Sequence, residues 1–546
     1  MAAANVPLTS LLPLIVVAIT QVLLAFNVTS LKISIDAIVD SYDAPASVVK
    51  SALIVYSLAV ASCILVGAKV APRFGSRRVF RATIAMFAFA MLAIVLSTDA
   101  LTMIIAQMIA GVAAAVLVPT LVLLIADNYA DEHRPKVLSW VSAVRSLSLA
   151  PAFLVAGMLA TWSSWRVAFA LMLALAIVAF YLGSKLSAIS SRSDVDIDAI
   201  GFVLTLLAVI LIGIGFDNLT SWGVWQARPD APFSVLQLSP APFAIALGVM
   251  LLKGLVVWSQ RCRAEGRAAL ISPEVISVSQ ERLTLFAIFT IGAVSAAVTF
   301  LIPLYIEIVQ GRNSLHTALA MIPFTLSSVT AAVLIGRLHN DKYLRLIARY
   351  GFLIVAAGLV LLGATVRNDW SDITVIFSMI VAGLGEGVLA TLLLRLLMAD
   401  APAEYLGDVD PLCSAASHLA AAVGTALAGA LVIGLLSMTV HRDLAGNPEV
   451  AEGLREHLNL DRVSFVSNDQ LRKVLESTAA TPEQVSEAVR INTEARLRAL
   501  KVSFFALAGL ALLAFIPSVH LPNHGERSKS LLDKLKRQEP FGHEPL

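Results

Sequence analysis

Apolar residues recur along this chain in runs of about 20, the length an α-helix needs to cross roughly 30 Å of hydrocarbon. The runs begin near residue 11 and end near residue 522. About fourteen can be separated, over 11–35, 49–70, 79–98, 101–126, 137–161, 165–186, 198–219, 240–260, 283–309, 314–336, 345–366, 373–398, 411–438 and 502–521. They lack the strict in–out alternation of barrel strands and are about twice as long. Water cannot satisfy backbone amides inside a bilayer. The pattern therefore predicts an all-α polytopic membrane protein, with its chemistry on the faces of the helices.

Composition agrees. Of 546 residues, 58% are hydrophobic and 14% charged, against about 25% charged in an ordinary soluble domain. A net charge of +2 provides no bulk attraction for nucleic acid. Cys63, Cys262 and Cys413 suggest no disulfide framework. No Gly-rich loop with Lys-Ser/Thr and no metal-ligand cluster is evident, which argues against direct ATP coupling and predicts no cofactor. Met1 to Ser10 carries no charged side chain and no small-residue cleavage site follows, so the first run reads as a retained helix.

Lys and Arg concentrate in alternate short loops: Lys69, Arg73, Arg77, Arg78 and Arg81 after span 2, Arg134 and Lys136 after span 4, Arg261, Arg263 and Arg267 after span 8, and Arg337, Lys342, Arg345 and Arg349 after span 10. By the positive-inside rule these loops and both termini are cytoplasmic. The long loop, about 441–501, then lies outside. Asn447-Pro448, Ser467 before Asp469-Gln470, and Thr481-Pro482-Glu483-Gln484 are helix-start signals. They predict a small helical unit there, either a solvated connector or a dock for a periplasmic adaptor.

Ionisable groups at lipid depth need a partner, water or a task. Glu386, mid-span between Gly385 and Gly387, is the leading candidate for a proton carrier; its alternative is a buried acid paired with Lys32 or Arg145. Lys32 and Asp36, four apart in span 1, share a helix face, as a mutually neutralising pair or with Lys32 turned to an anionic substrate. Arg145 in span 5 forks onto carboxylate or phosphate, or pairs with a neighbouring acid. Asp36, Asp410 and His418 join Glu386 as candidate proton-coupling groups, although Asp408-Val409-Asp410-Pro411 also reads as a helix cap with proline at N1. Glu307 closes span 9, as a substrate ligand or a solvated rim residue. Lys253 reads as snorkelling and Asp217 as interfacial.

The loop Gly67-Ala68-Lys69-Val70-Ala71-Pro72-Arg73-Phe74-Gly75-Ser76-Arg77-Arg78 resembles the major facilitator superfamily motif between helices 2 and 3, and Gly336-Arg337-Leu338-His339-Asn340-Asp341-Lys342 echoes it. Ser164-Trp165-Arg166-Val167-Ala168-Phe169, Asp198 with Gly201, Ile302-Pro303-Leu304-Tyr305 with Gln310-Gly311, and Gly383 to Gly387 resemble the fourteen-helix drug/proton antiporter branch. The resemblance implies two six-helix bundles, 1–190 and 281–522, the second including the outer loop 441–501. Two inserted helices would lie in 191–280 and a basic cytoplasmic tail in 523–546. It implies alternating access about a midplane site in an inner-membrane secondary transporter whose partners are a small-molecule substrate, protons and lipids.

Asn27 and Gln107 would line the substrate path, and Arg73, Gly75, Arg77 and Arg78 would form a conformational latch. Several family positions are substituted: the motif acid by Pro72, the span 4 arginine by Gln107, the span 1 acid by Asn27 and its later asparagine by Lys32. The leading expectation is proton-coupled export of amphipathic molecules. The alternative is an organic anion or anionic lipid held by Lys32 and Arg145, with altered or no proton coupling.

Overall fold

The computed structural model describes residues 8–129, 144, 147–187, 195–234, 236–276, 279–337, 344–367, 369–400, 406–445, 472–473, 476 and 482–518. These residues are almost entirely helical: α1 (Leu8–Ile33), α2 (Ile35–Tyr42), α3 (Ser47–Phe74), α4 (Ser76–Leu96), α5 (Ala100–Asn128), α6 (Leu149–Trp162), α7 (Trp165–Gly183), α8 (Ala199–Asp217), α9 (Pro240–Ala264), α10 (Ser279–Leu304), α11 (Ser314–Gly336), α12 (Leu344–Thr365), α13 (Ile373–Asp400), α14 (Leu406–Ala445) and α15 (Pro482–Ser518). Thirteen of them are long and apolar enough to cross a membrane, and Leu149–Trp162 is a shorter apolar helix. Arg145, Arg134, Lys136, most of 441–501 and the tail 523–546 lie outside the described residues.

Helix starts are written locally. Asp99 accepts the Thr102 N–H at 2.8 Å, and the Thr102 hydroxyl and N–H hold its carboxyl below the usual range. Ser164, Asp198, Ser239 and Asn313 cap α7, α8, α9 and α11 in the same way, satisfying amides that the first turn leaves orphaned. Asp198 does more: it also accepts the Trp258 indole N–H at 3.1 Å and the Leu270 N–H at 3.3 Å, tying the two inserted helices to the segment before α10.

Helices α1 and α3–α7 form one half, with α3 on α5, α4 on α5 and α7, and α1 on α6 and α7. Helices α10–α15 form the other, with α11 and α12 on α13, α14 on α10, and α15 on α12 and α10. Helices α8 and α9 pack on each other, and α8 also touches α3 and α14. The halves meet along α3–α14, α6–α11 and α1–α10. At one end of this seam Lys50 reaches Asp217 of α8 at 2.8 Å. Gly429 of α14 makes room for it, because a Cβ there would lie 2.8 Å from Lys50 Cδ. Asp217, read as interfacial from sequence, therefore anchors the inserted pair.

Four elements differ from the sequence reading. Span 1 breaks at Ser34 (φ −122°, ψ 26°), so Lys32 and Asp36 do not share one continuous helix face. Span 9 ends in a π turn, Tyr305–Val309, a local widening that often marks functional sites. Helix α14 starts at Leu406 and contains Pro411, so Asp410 is inside the helix and not its cap. Helix α15 starts at Pro482, about twenty residues before the apolar run that marked it. Its first turns are amphipathic, with Val485, Val489, Asn492 and Arg496 all buried at helical spacing, and such a stripe is carried by packing rather than by overall apolarity.

Candidate functional site

The polar residues at depth converge on α10. Ser295 and Thr299 lie one turn apart on a single face. From the first half, Lys32 Nζ donates to Thr299 Oγ1 at 2.7 Å, and that hydroxyl donates to the Ser295 carbonyl at 2.8 Å. From the second half, Glu386 Oε1 accepts the Ser295 hydroxyl at 2.8 Å while Oε2 accepts the Ser328 hydroxyl of α11. Lys32, Thr299, Ser295, Ser328 and Glu386 are all half-buried. A small apolar cavity walled by Val298, Phe324, Val355 and Leu359 reaches Ser295 and Glu386. The glycines beside Glu386 explain its position. A Cβ at Gly387 would collide with the Ser328 carbonyl and one at Gly385 with the Val355 backbone, so α13 lies directly on α11 and α12.

In the first half, Asn27 and Gln107 exchange two amide hydrogen bonds, at 3.0 and 3.1 Å. Both side chains are fully buried. The pair clips α1 to α5, each amide donating one hydrogen bond to the other and accepting one from it.

At the end away from the basic loops, the break at Ser34 lets α2 fold over the seam, and Glu307 of the π turn accepts the Asp36 N–H at 3.0 Å. Glu307 is fully buried, which corrects the reading of a solvated rim residue. Thr161 Oγ1 accepts the Leu315 N–H at 2.9 Å nearby, and Gly157 packs against Ala318, so α6 and α11 close there too.

At the basic end, Gly75 has φ +91°, a conformation that favours glycine, and turns the chain from α3 directly into α4. Arg73 donates to the Val195 carbonyl at 3.2 Å, Arg77 to the Ser184 carbonyl, and Ser76 to Asp127; Arg78 is exposed. These partners all belong to the first half or to the segment that follows it. The tie between halves comes from residues the motif reading did not single out: Lys69 pairs with Asp408 of α14 at 2.5 Å, and Asp408 also accepts the Ser272 hydroxyl at 2.5 Å. His418 sits on the same seam with its ring edge toward Tyr56, centroids 6.4 Å apart. Asp410 is half-buried two residues beyond Asp408. Cys63, Cys262 and Cys413 are free thiols, and no metal-ligating cluster occurs among the described residues.

Two helical halves with a polar chain strung between them at lipid depth define a polytopic membrane transporter fold. The Major Facilitator Superfamily family model matches residues 17–425, and the chain belongs to that superfamily. It is 25% identical over 364 residues to the probable transport protein HsrA of Haemophilus influenzae, covering 65% of this chain and 72% of that one. It is 23% identical over 401 residues to the probable actinorhodin transporter of Streptomyces coelicolor, covering 71% and 67%. The structure of a bacterial homologue of the human lysosomal transporter Spinster superposes with a TM-score of 0.57 at 12% identity, covering 94% of this chain and 99% of that one. That last likeness speaks for the fold alone.

Proposed function

We propose that this transporter exports amphipathic small molecules across the inner membrane against proton entry, with the basic end and both termini on the cytoplasmic side and Glu386 as the proton carrier. The observation that carries this reading is the path Lys32–Thr299–Ser295–Glu386, which joins a cation of one half to an acid of the other. When two such groups neutralise each other, loss of either charge weakens the contact between the halves. Protonating Glu386 would loosen Lys32, and rocking of the halves would then expose the site to the other side. The likeness to an actinorhodin transporter supports a small organic cargo. Lys32, with Arg145, also supports an organic anion or anionic lipid as cargo, since a cation at this depth attracts a negative headgroup. Asn27, Gln107 and Glu307 would shape the path, and Asp36, Asp410 and His418 would sit along the seam that moves.

The test is transport in proteoliposomes carrying an imposed pH gradient. Glu386→Gln is expected to abolish gradient-driven accumulation of a fluorescent cationic amphiphile while leaving counterflow exchange intact. Accumulation by the wild type that ignores the gradient would sink proton coupling. Competition by anionic but not cationic amphiphiles would favour the anion reading.

A further inference from the structure

Away from the basic loops, the inserted helices α8 and α9 are joined by a folded loop over 218–239 that the transport path does not use. Helix α8 has 19 residues, about 28 Å at 1.5 Å per residue, close to the roughly 30 Å of hydrocarbon. Its last residue, Asp217, therefore stands at the hydrocarbon edge, and the loop lies at the depth of the lipid headgroups. The loop is held from within. Ala227 N–H donates to the Gln237 carbonyl and Ser239 N–H to that of Trp225, both at 2.9 Å, with Gln226 and Leu238 bridged between them. The Arg228 guanidinium donates to the Thr220 carbonyl at 2.7 Å. The large apolar side chains stay outside this frame: Val224, Trp225, Phe233 and Leu236 are exposed, Trp225 at 73% and Leu236 at 90%. Leu236 and Gln237 have φ +54° and +63°, a left-handed backbone uncommon for residues other than glycine. Such strain persists where its surroundings impose it, and it gathers at functional positions. Here the two backbone bonds impose it, and the strained leucine is the most exposed large apolar side chain among the described residues.

We propose that this loop is a membrane-interface anchor, with Trp225, Phe233 and Leu236 seated in the headgroup layer of the leaflet opposite the basic loops. Three features make lipid, not protein, the partner. The first is the depth set by the length of α8. The second is continuity with the lipid-facing surface: Ile214 before the loop and Phe243, Leu247 and Met250 after it are exposed as well, and α9 is the least buried of the thirteen membrane-length helices. The third is chemistry. Tryptophan is enriched where membrane meets water, its ring lying at headgroup level. Arg228 and Asp230 are the only charges in the loop, so it carries no net charge with which to select a charged partner. Asp217, at the base of the loop, binds Lys50 of α3, and Lys50 lies against Gly429 of α14. The anchor thus fixes the depth of the seam where the two halves meet. It shares no residue with the Lys32–Glu386 path and depends on neither cargo nor proton coupling.

The test uses the full chain in phosphatidylcholine vesicles, with Cys63, Cys262 and Cys413 replaced by alanine. Trp225→Cys, Phe233→Cys, Leu236→Cys and Asp230→Cys would each be spin-labelled in turn. Collisions of each label with oxygen, which partitions into lipid, are compared with collisions with a water-soluble nickel chelate. Labels at 225, 233 and 236 are expected to favour oxygen, and the label at 230 the chelate. Three labels as open to the chelate as the one at 230 would overturn the proposal. A second arm places the label at Val224→Cys and combines Trp225→Ser, Phe233→Ser and Leu236→Ser. The reporter is expected to lose its lipid contact while the melting temperature in detergent stays that of the parent. Lipid contact unchanged in this variant would also overturn the anchor, because the helices alone would then set the depth of the loop. Should the triple variant fail to fold, Leu236→Ser alone is expected to move the reporter part of the way toward water, and no movement counts against the proposal. Labels shielded from both reagents in native membranes but open to the chelate in pure lipid would assign a protein partner in place of the bilayer.

Discussion

The two halves make the same contact with different chemistry. In the first, the opening helix α1 meets the fourth long helix, α5, through Asn27 and Gln107. In the second, the opening helix α10 meets its fourth, α13, through Ser295 and Glu386. The geometric roles correspond, yet one contact is a closed pair of amides at 0% exposure and the other a half-buried carboxyl between two hydroxyls. Amides do not titrate and their mutual pairing leaves nothing for a proton to do. A carboxyl with hydroxyl donors serves in either protonation state, because the hydroxyls can donate to the anion or accept from the acid. The difference teaches that the two halves divide the chemistry: a titratable group stands in one and a non-titrating structural clip in the other.

The largest effect expected from breaking this asymmetry is on the charged side: Glu386→Gln should reduce gradient-driven uptake to background with the protein still folded. On the amide side the loss should be of stability. Asn27→Ala leaves the Gln107 amide buried without its partner, which costs about 1–3 kcal/mol. The double Asn27→Leu, Gln107→Leu change should recover most of this, measured by denaturant unfolding in detergent. If Asn27→Ala left unfolding unchanged and stopped transport, the clip would instead be a substrate contact. An effect of similar size is expected at the basic end. Losing Lys69 or Asp408, 25% and 16% exposed, should cost about 1–3 kcal/mol, between the values for exposed and buried pairs. Lys69→Met and Asp408→Asn should be no worse together than singly, and each should speed labelling of single cysteines placed at that end.

The smallest effect belongs to the Asp99 cap. Its folded carboxyl lies below the ordinary value, so its contribution is present above the unfolded value of about 3.9 and is lost as pH falls through the folded one. Asp99→Asn should therefore soften α5 at neutral pH and match wild type in strong acid, read by amide hydrogen exchange at residues 100–104.

Helix number and order were legible because apolar runs of membrane length have few alternatives, and Gly385-Glu386-Gly387 announced a charged residue on a closely packed helix. The partners of that acid were not legible. Ser295, Thr299 and Ser328 look like any hydroxyls in an apolar helix, and only the packing of α10, α11 and α13 turns them inward. Lys32 was paired with Asp36 by spacing, but the break at Ser34 sends it to Thr299. Glu307 looked like a rim residue because nothing in the sequence shows α2 folding over it. Arg496 escaped because it lies before the apolar run of the last span, in turns whose buried stripe mixes valine with asparagine and arginine. Asp408 was hidden by the cap pattern around Pro411, since the helix begins five residues before that proline.

Helices α14 and α15 contain 40 and 37 residues, about 60 and 55 Å at 1.5 Å per residue, roughly twice the thickness of the hydrocarbon. Both continue beyond the bilayer at the end opposite the basic loops. If the second half rocks as proposed, they would act as a lever: a tilt of about 10° moves a point some 25 Å beyond the pivot by about 4 Å. A modest reorientation within the lipid would then become a displacement outside it large enough for a fluorescent pair on the two tips and the first half to follow.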